Sequence, residues 1–297
     1  MRPAPRSSEA AQMTIAFRSC VLAFLTVPVL ATAAPVSERN QLFKEAMAYA
    51  VPAGGHRSRV VLADSVVKLV QEGVVDPQKI EALYARRGGI PARLKEVLSK
   101  PSRRPILLTR ETANVHVNLL WPLGLANRMA ANNESPLNGP KLSRFASTGG
   151  WSLGKEANGS AYFNKFPIVD LTVAQETLVT RVARNTFRPC CDNSTFYQDC
   201  NHGSALLGLL TLGAAQGLSE EELFREALAF NAFWFPHHYA HIALYFKVAR
   251  NTEWQDVDPR EVMDANFSSA RGWHANVARE LKRRGLLPEQ GGADCDV

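Results

Sequence analysis

Helix-start signatures constrain this chain more than any other feature of it. Asp76-Pro77 and Asp258-Pro259 each set an acidic cap before a proline. Proline's fixed φ suits a first helical turn, and its missing amide costs nothing there. Thr172 with Gln175, Ser219 with Glu222 and Asp258 with Glu261 carry the capping-box spacing. In that motif two orphan amides are satisfied reciprocally by side chains. From these marks the spacing predicts helices over 37–50, 58–73, 77–86, 91–99, 112–131, 173–185, 203–216, 220–235, 237–250 and 260–284. Val60, Val61, Ala63, Val67, Leu69 and Val70 form an apolar stripe in the second of these. Leu223, Ala227, Phe230, Phe233 and Trp234 form another at helical spacing. Alternation with a period of two is scarce, so the expected fold is all-α, an irregular multi-helix bundle.

Residues 132–170 break the helical pattern. The stretch is rich in Asn, Gly, Pro and Ser, and holds Trp151, Tyr162, Phe163 and Phe166. Loops of this length in a compact domain are functional or disordered. The aromatic residues favour a long ordered loop, with a small hairpin near 161–169. The basic, proline-bearing stretch Lys100 to Pro105 suggests a boundary between an N-terminal helical subdomain, 34–105, and a second helical domain, 106–297. Hydrophobic residues make up 46% and charged residues 21%, so a core of ordinary size can form.

The first 33 residues read as an export signal. Arg18 precedes the apolar run Cys20 to Leu30, and Ala31-Thr32-Ala33 supplies an A-x-A cleavage pattern. The run is shorter than the ~20 apolar residues a membrane span needs. A periplasmic or secreted protein follows, with no stable membrane span after cleavage. The formal net charge is +6, of which the signal contributes +2 through Arg2, Arg6 and Arg18 against Glu9, leaving +4. That charge is too mild and scattered for a nucleic-acid partner. No phosphate-cradling glycine loop or dinucleotide fingerprint is present.

Chemistry concentrates between residues 190 and 241. The segment Arg188-Pro189-Cys190-Cys191-Asp192 runs through to Asp199-Cys200-Asn201-His202, where an apolar helix begins. Unpaired amides and the helix dipole favour a thiolate at such a position. The tight link Gly217-Leu218-Ser219 joins two helices of nearly equal length, so the chain returns to the level of Cys200 near Phe235. It carries His237, His238 and His241 there, at spacings that share a helix face. His116, on an apolar helix that needs no imidazole, is a further candidate.

Thiolate and imidazole are the ligands of zinc and copper. The leading expectation is a transition-metal site, copper or zinc, drawn from Cys190, Cys191, Cys200, His202, His237, His238, His241 and His116. The alternative is a thiol-dependent enzyme acting on a small-molecule or peptide substrate. Cys200 would then be nucleophile or redox partner of Cys190 or Cys191, His202 or His241 its base, and Asp199 or Asn201 an orienting group. Over Asp199 to Leu210 the segment resembles the nucleophile segment of papain-like peptidases. No later strand bearing a histidine follows, so that family's properties are not assigned. A third expectation is a non-catalytic binding module, stapled by a disulfide from Cys200 to Cys190 or Cys191, the remaining cysteine pairing with Cys295. Its loop 132–170 would carry recognition.

Overall fold

The structure is a computed structural model, and it describes Met1 and residues 35–140, 142–145 and 153–287. Residues 2–34, which hold all but Met1 of the stretch expected as an export signal and include Cys20, and also Trp151 and Cys295, lie outside the described residues. Residues Ala33–Val297 form one compact unit. Its elements run in order α1 (Val36–Ala50), β1 (His56–Ala63), α2 (Ser65–Gln71), α3 (Pro77–Ala85), α4 (Ala92–Glu96), β2 (Ser102–Leu108), α5 (Ala113–Ala126), α6 (Leu142–Phe145), α7 (Val173–Arg184), α8 (Asn201–Ala215), α9 (Glu220–Trp234) and α10 (Pro236–Arg250). Short helices follow: α11 (Pro259–Met263), α12 (Ala265–Ser268), α13 (Ala270–Gly272), a π-helical turn (Trp273–Ala278) and α14 (Arg279–Arg283).

The fold is helix-rich, but all-α is not its description: β1 and β2 pair as a two-stranded antiparallel sheet. The helix expected over 58–73 is a strand followed by a short helix. Ser58, Val60 and Leu62 are buried while Arg57 and Arg59 are exposed, which is the period of two that a half-buried strand requires. The apolar stripe over 60–70 joined two elements of different period. The stretch expected as a subdomain boundary carries the start of β2. Glu226 on α9 anchors β1, accepting from Ser58 Oγ at 2.7 Å and the Arg59 amide at 2.8 Å and pairing with His56 Nε2 at 3.0 Å.

Two apolar helices, α5 and α8, form the centre. Nearly every residue of each is buried, as expected for helices hydrophobic on all faces. They meet at two glycines. A Cβ on Gly124 would lie 1.9 Å from the Ser204 carbonyl oxygen, and one on Gly208 would lie 2.4 Å from that of Leu120. Only glycine permits backbones this close, and the contact fixes the height of α8, and with it Cys200.

The caps read from sequence form at α3, α7 and α9, with complete capping boxes at Thr172 and Ser219. The long helix expected over 260–284 does not form. Asp264 and Ser269 accept hydrogen bonds from the Asn266 and Gly272 amides, so each side chain starts a new short helix. Within 132–170 the described residues hold α6 and two 3₁₀ turns, and the expected hairpin is replaced by a single parallel bridge, Asn127 to Phe166. The amides of Asn164, Lys165 and Phe166 satisfy the last carbonyls of α5, Leu125 and Ala126. Among the described residues no helix is long and apolar enough to cross a membrane.

Candidate metal centre

Cys200 is itself the cap of α8. Its backbone is extended and its sulfur accepts from the Gly203 amide at 3.4 Å. The loop before it folds back over that helix end. Thr195 and Phe196 donate their amides to Thr186 and Ala183, and the Cys191 carbonyl accepts from Ala270 at 3.0 Å. Asp192 Oδ1 accepts the Arg271 amide at 2.7 Å. Adjacent cysteines are thereby turned toward the helix start.

The three sulfurs form a near-equilateral triangle. Cys190 and Cys191 are 3.5 Å apart, Cys191 and Cys200 3.7 Å, and Cys190 and Cys200 3.9 Å. A disulfide needs ~2.05 Å, and all three cysteines are free. The expected staple from Cys200 to Cys190 or Cys191 is therefore absent among the described residues. Three sulfurs converging on one point replace it. Donor atoms of Cys190, Cys200 and His202 lie within 4.8 Å of one another, as do those of Cys191, Asp199 and Cys200. His202 Nε2 is buried with no hydrogen-bond partner.

Beneath the sulfurs lies a residue that the sequence did not single out. Arg188 is fully buried. Its Nε donates to Cys200 Sγ at 3.1 Å, and its Nη2 pairs with Asp199 at 2.7 Å. Other donations go to the Asn193 backbone oxygen, Asn193 Oδ1 and the Tyr197 carbonyl. Asn193 Nδ2 holds the second Asp199 oxygen at 2.6 Å. A Cβ on Gly203 would meet the guanidinium at 2.7 Å, so glycine there lets α8 start against the arginine's face. The available signal was an arginine beside two cysteines, a cation where thiolate charge needs compensation.

The trio shares one ready charge. Hydrogen bonds from Cys190 and Cys191, aided by Arg188, hold the Cys200 thiol well below its ordinary range against the cost of burial. Cys190 moves the other way, raised by its bonds to Cys191 and Cys200 and by burial. For Cys191 the bond to Cys190 lowers, but donation to Cys200 and burial prevail and push it up to about 12. Burial holds His202 down at about 4 despite the nearby Cys200 charge. Negative charge in the trio is thus favoured at Cys200, while Cys190 and Cys191 are held toward the thiol form and His202 toward the neutral imidazole.

The returning helix pair does reach this level: the His202 ring lies 5.8 Å from Trp234 and 4.6 Å from Phe235. The imidazoles after Pro236 lie outside both donor groups. Phe235 takes the place beside His202, and its ring is 6.3 Å from His238. His238 and His241 pack on Trp273 at 4.7 and 5.8 Å, and His237 and His241 on Phe43 of α1. His116 also lies outside both groups, its Nδ1–H donated to the Thr112 carbonyl at 2.9 Å.

No protein-family model matches this chain, and no curated protein or solved structure is similar to it. Function rests on the site's own chemistry.

Proposed function

We propose that the protein is an exported zinc-binding protein whose ion is held by Cys190, Cys191, Cys200 and His202. The sulfur triangle carries this reading. A tetrahedral site with Zn–S bonds of ~2.3 Å has S···S edges of about 3.8 Å, and the three separations here are 3.5, 3.7 and 3.9 Å. The buried, unpartnered Nε2 of a neutral His202 supports an imidazole as fourth ligand. Zinc is favoured over univalent copper by charge. With Arg188 balancing Asp199, three thiolates leave one uncompensated negative charge around zinc and two around cuprous ion, and buried charge is costly. Four protein ligands leave no open position, so the ion is held rather than used as a Lewis acid.

The test is elemental analysis of protein purified without chelator, followed by thiol counting. One zinc per chain is expected, together with three thiols that react with a disulfide reagent only after chelation. Metal-free protein as isolated would overturn the reading.

One observation favours a second reading, thiol catalysis at Cys200: its thiolate is stabilised by a helix start and a buried guanidinium. Rapid alkylation of Cys200 at pH 6.5 in protein as isolated supports this reading. Protection by bound metal supports the first.

A further inference from the structure

A second feature stands apart from the sulfurs. Between α4 and β2 lies a cavity of about 560 Å³, within the ~300–1,000 Å³ usual for small-ligand sites. Ser102 to Leu107 all line it, so it follows the strand rather than one face. The other edge of the ribbon is closed by Gln216, whose side chain bonds both the Val61 amide and carbonyl.

The lining is two-part. Its apolar portion includes Leu62, Leu94, Val97 and Ile106. The charged portion is Arg57, Arg93, Lys100, Arg103 and Arg104, against the single carboxylate of Glu96. None of these five cations forms an ion pair among the described residues, whereas arginines elsewhere on the surface, such as Arg59, Arg181, Arg225 and Arg283, do. Unneutralised cations clustered over low-dielectric walls concentrate anions. His116 also lines the cavity, but with Nδ1–H committed to Thr112 its Nε2 is an acceptor and offers no hydrogen bond to an anion.

We propose that this cavity binds a small organic anion with an apolar body, the chemistry of a medium-chain fatty acid. The anionic head would sit among the arginines and the chain against Leu62, Val97 and Ile106. An added peptide strand fits less well, because Pro105 offers no amide and the β1–β2 register is irregular around it.

The experiment is calorimetric titration of the full metal-loaded protein with dodecanoate below its micelle concentration. Saturable binding of one molecule per chain is expected. 1-Dodecanol, of the same chain length without the charge, should bind about tenfold more weakly or worse, since a charge-assisted contact is worth about that factor. The R103E/R104E variant alters two exposed side chains and should lose about tenfold in dodecanoate affinity, with helical content and bound metal unchanged. Equal affinity for acid and alcohol, unchanged affinity in R103E/R104E, or binding only to phosphatidylglycerol vesicles would each overturn the proposal. Absence of saturable binding would too.

Discussion

Loading the apo-protein with zinc should release about two protons per ion at neutral pH, because ligands must shed protons to bind. The count of two follows if the lowered Cys200 thiol is the one that ionises first, with Cys190 and Cys191 raised and His202 neutral down to about pH 4. The three thiols titrate as one coupled unit, so the count belongs to the trio. Two released protons make affinity rise about 100-fold, or about 2.7 kcal/mol, for each pH unit between roughly 6.5 and 8. The release is read by titrating zinc into weakly buffered apo-protein with a pH indicator. Affinity comes from competition with a chromophoric chelator at three pH values. In Cys191→Ser the release should fall toward one. A wild-type value near zero would mean that Cys190 and Cys191 are not ligands. A value near three would mean that Cys200 holds a proton at pH 7, and the charge distribution described for the trio would be wrong.

Arg188→Met removes a buried cation and leaves the Asp199 carboxylate and Cys200 thiolate facing each other's field. It should cost about 3–5 kcal/mol, on the order of a 10 °C fall in melting temperature, and raise the Cys200 titration followed by thiolate absorbance. Gly124→Ala drives a Cβ into the Ser204 carbonyl and should cost about 3 kcal/mol or more by urea denaturation. Gly54→Ala, with nothing within 4 Å, should change stability little. Burial holds His116, His238 and His241 at about 4, helped in the last two by neighbouring imidazoles. The unfolded chain binds protons at these groups near 6.5, so their contribution is present above that value and lost as pH falls through 4. Urea midpoints at pH 7, 5.5 and 4.5 should drop accordingly, each histidine adding about 2–3 kcal/mol to the span, and His241→Gln should flatten the curve. A midpoint independent of pH refutes this.

The sequence by itself determined the helix starts and the chemical neighbourhood. Caps at Asp76, Thr172, Ser219 and Asp258 are local hydrogen bonds between residues two or three apart, so the chain code carries them without help from the fold. The gathering of Cys190, Cys191, Cys200 and His202 was legible for the same reason: twelve positions of chain separate the first from the last, and a helix start orders the end of them. Tertiary structure decided what depends on distant partners. Residues 56–63 became a strand because β2 and Glu226, far along the chain, satisfy their backbone, and no local pattern records those bonds. Free sulfurs in a triangle, rather than a disulfide, follow from where Ala270 and Arg271 pin the loop. His237, His238 and His241 went to Phe43 and Trp273 instead of the thiols. Helical spacing sets which side chains share a face, but only packing against α1 and the π-helical turn sets what that face meets. Arg188 shows the limit most clearly: it pairs with Asp199 and donates to Cys200, partners that only the assembled fold brings around it.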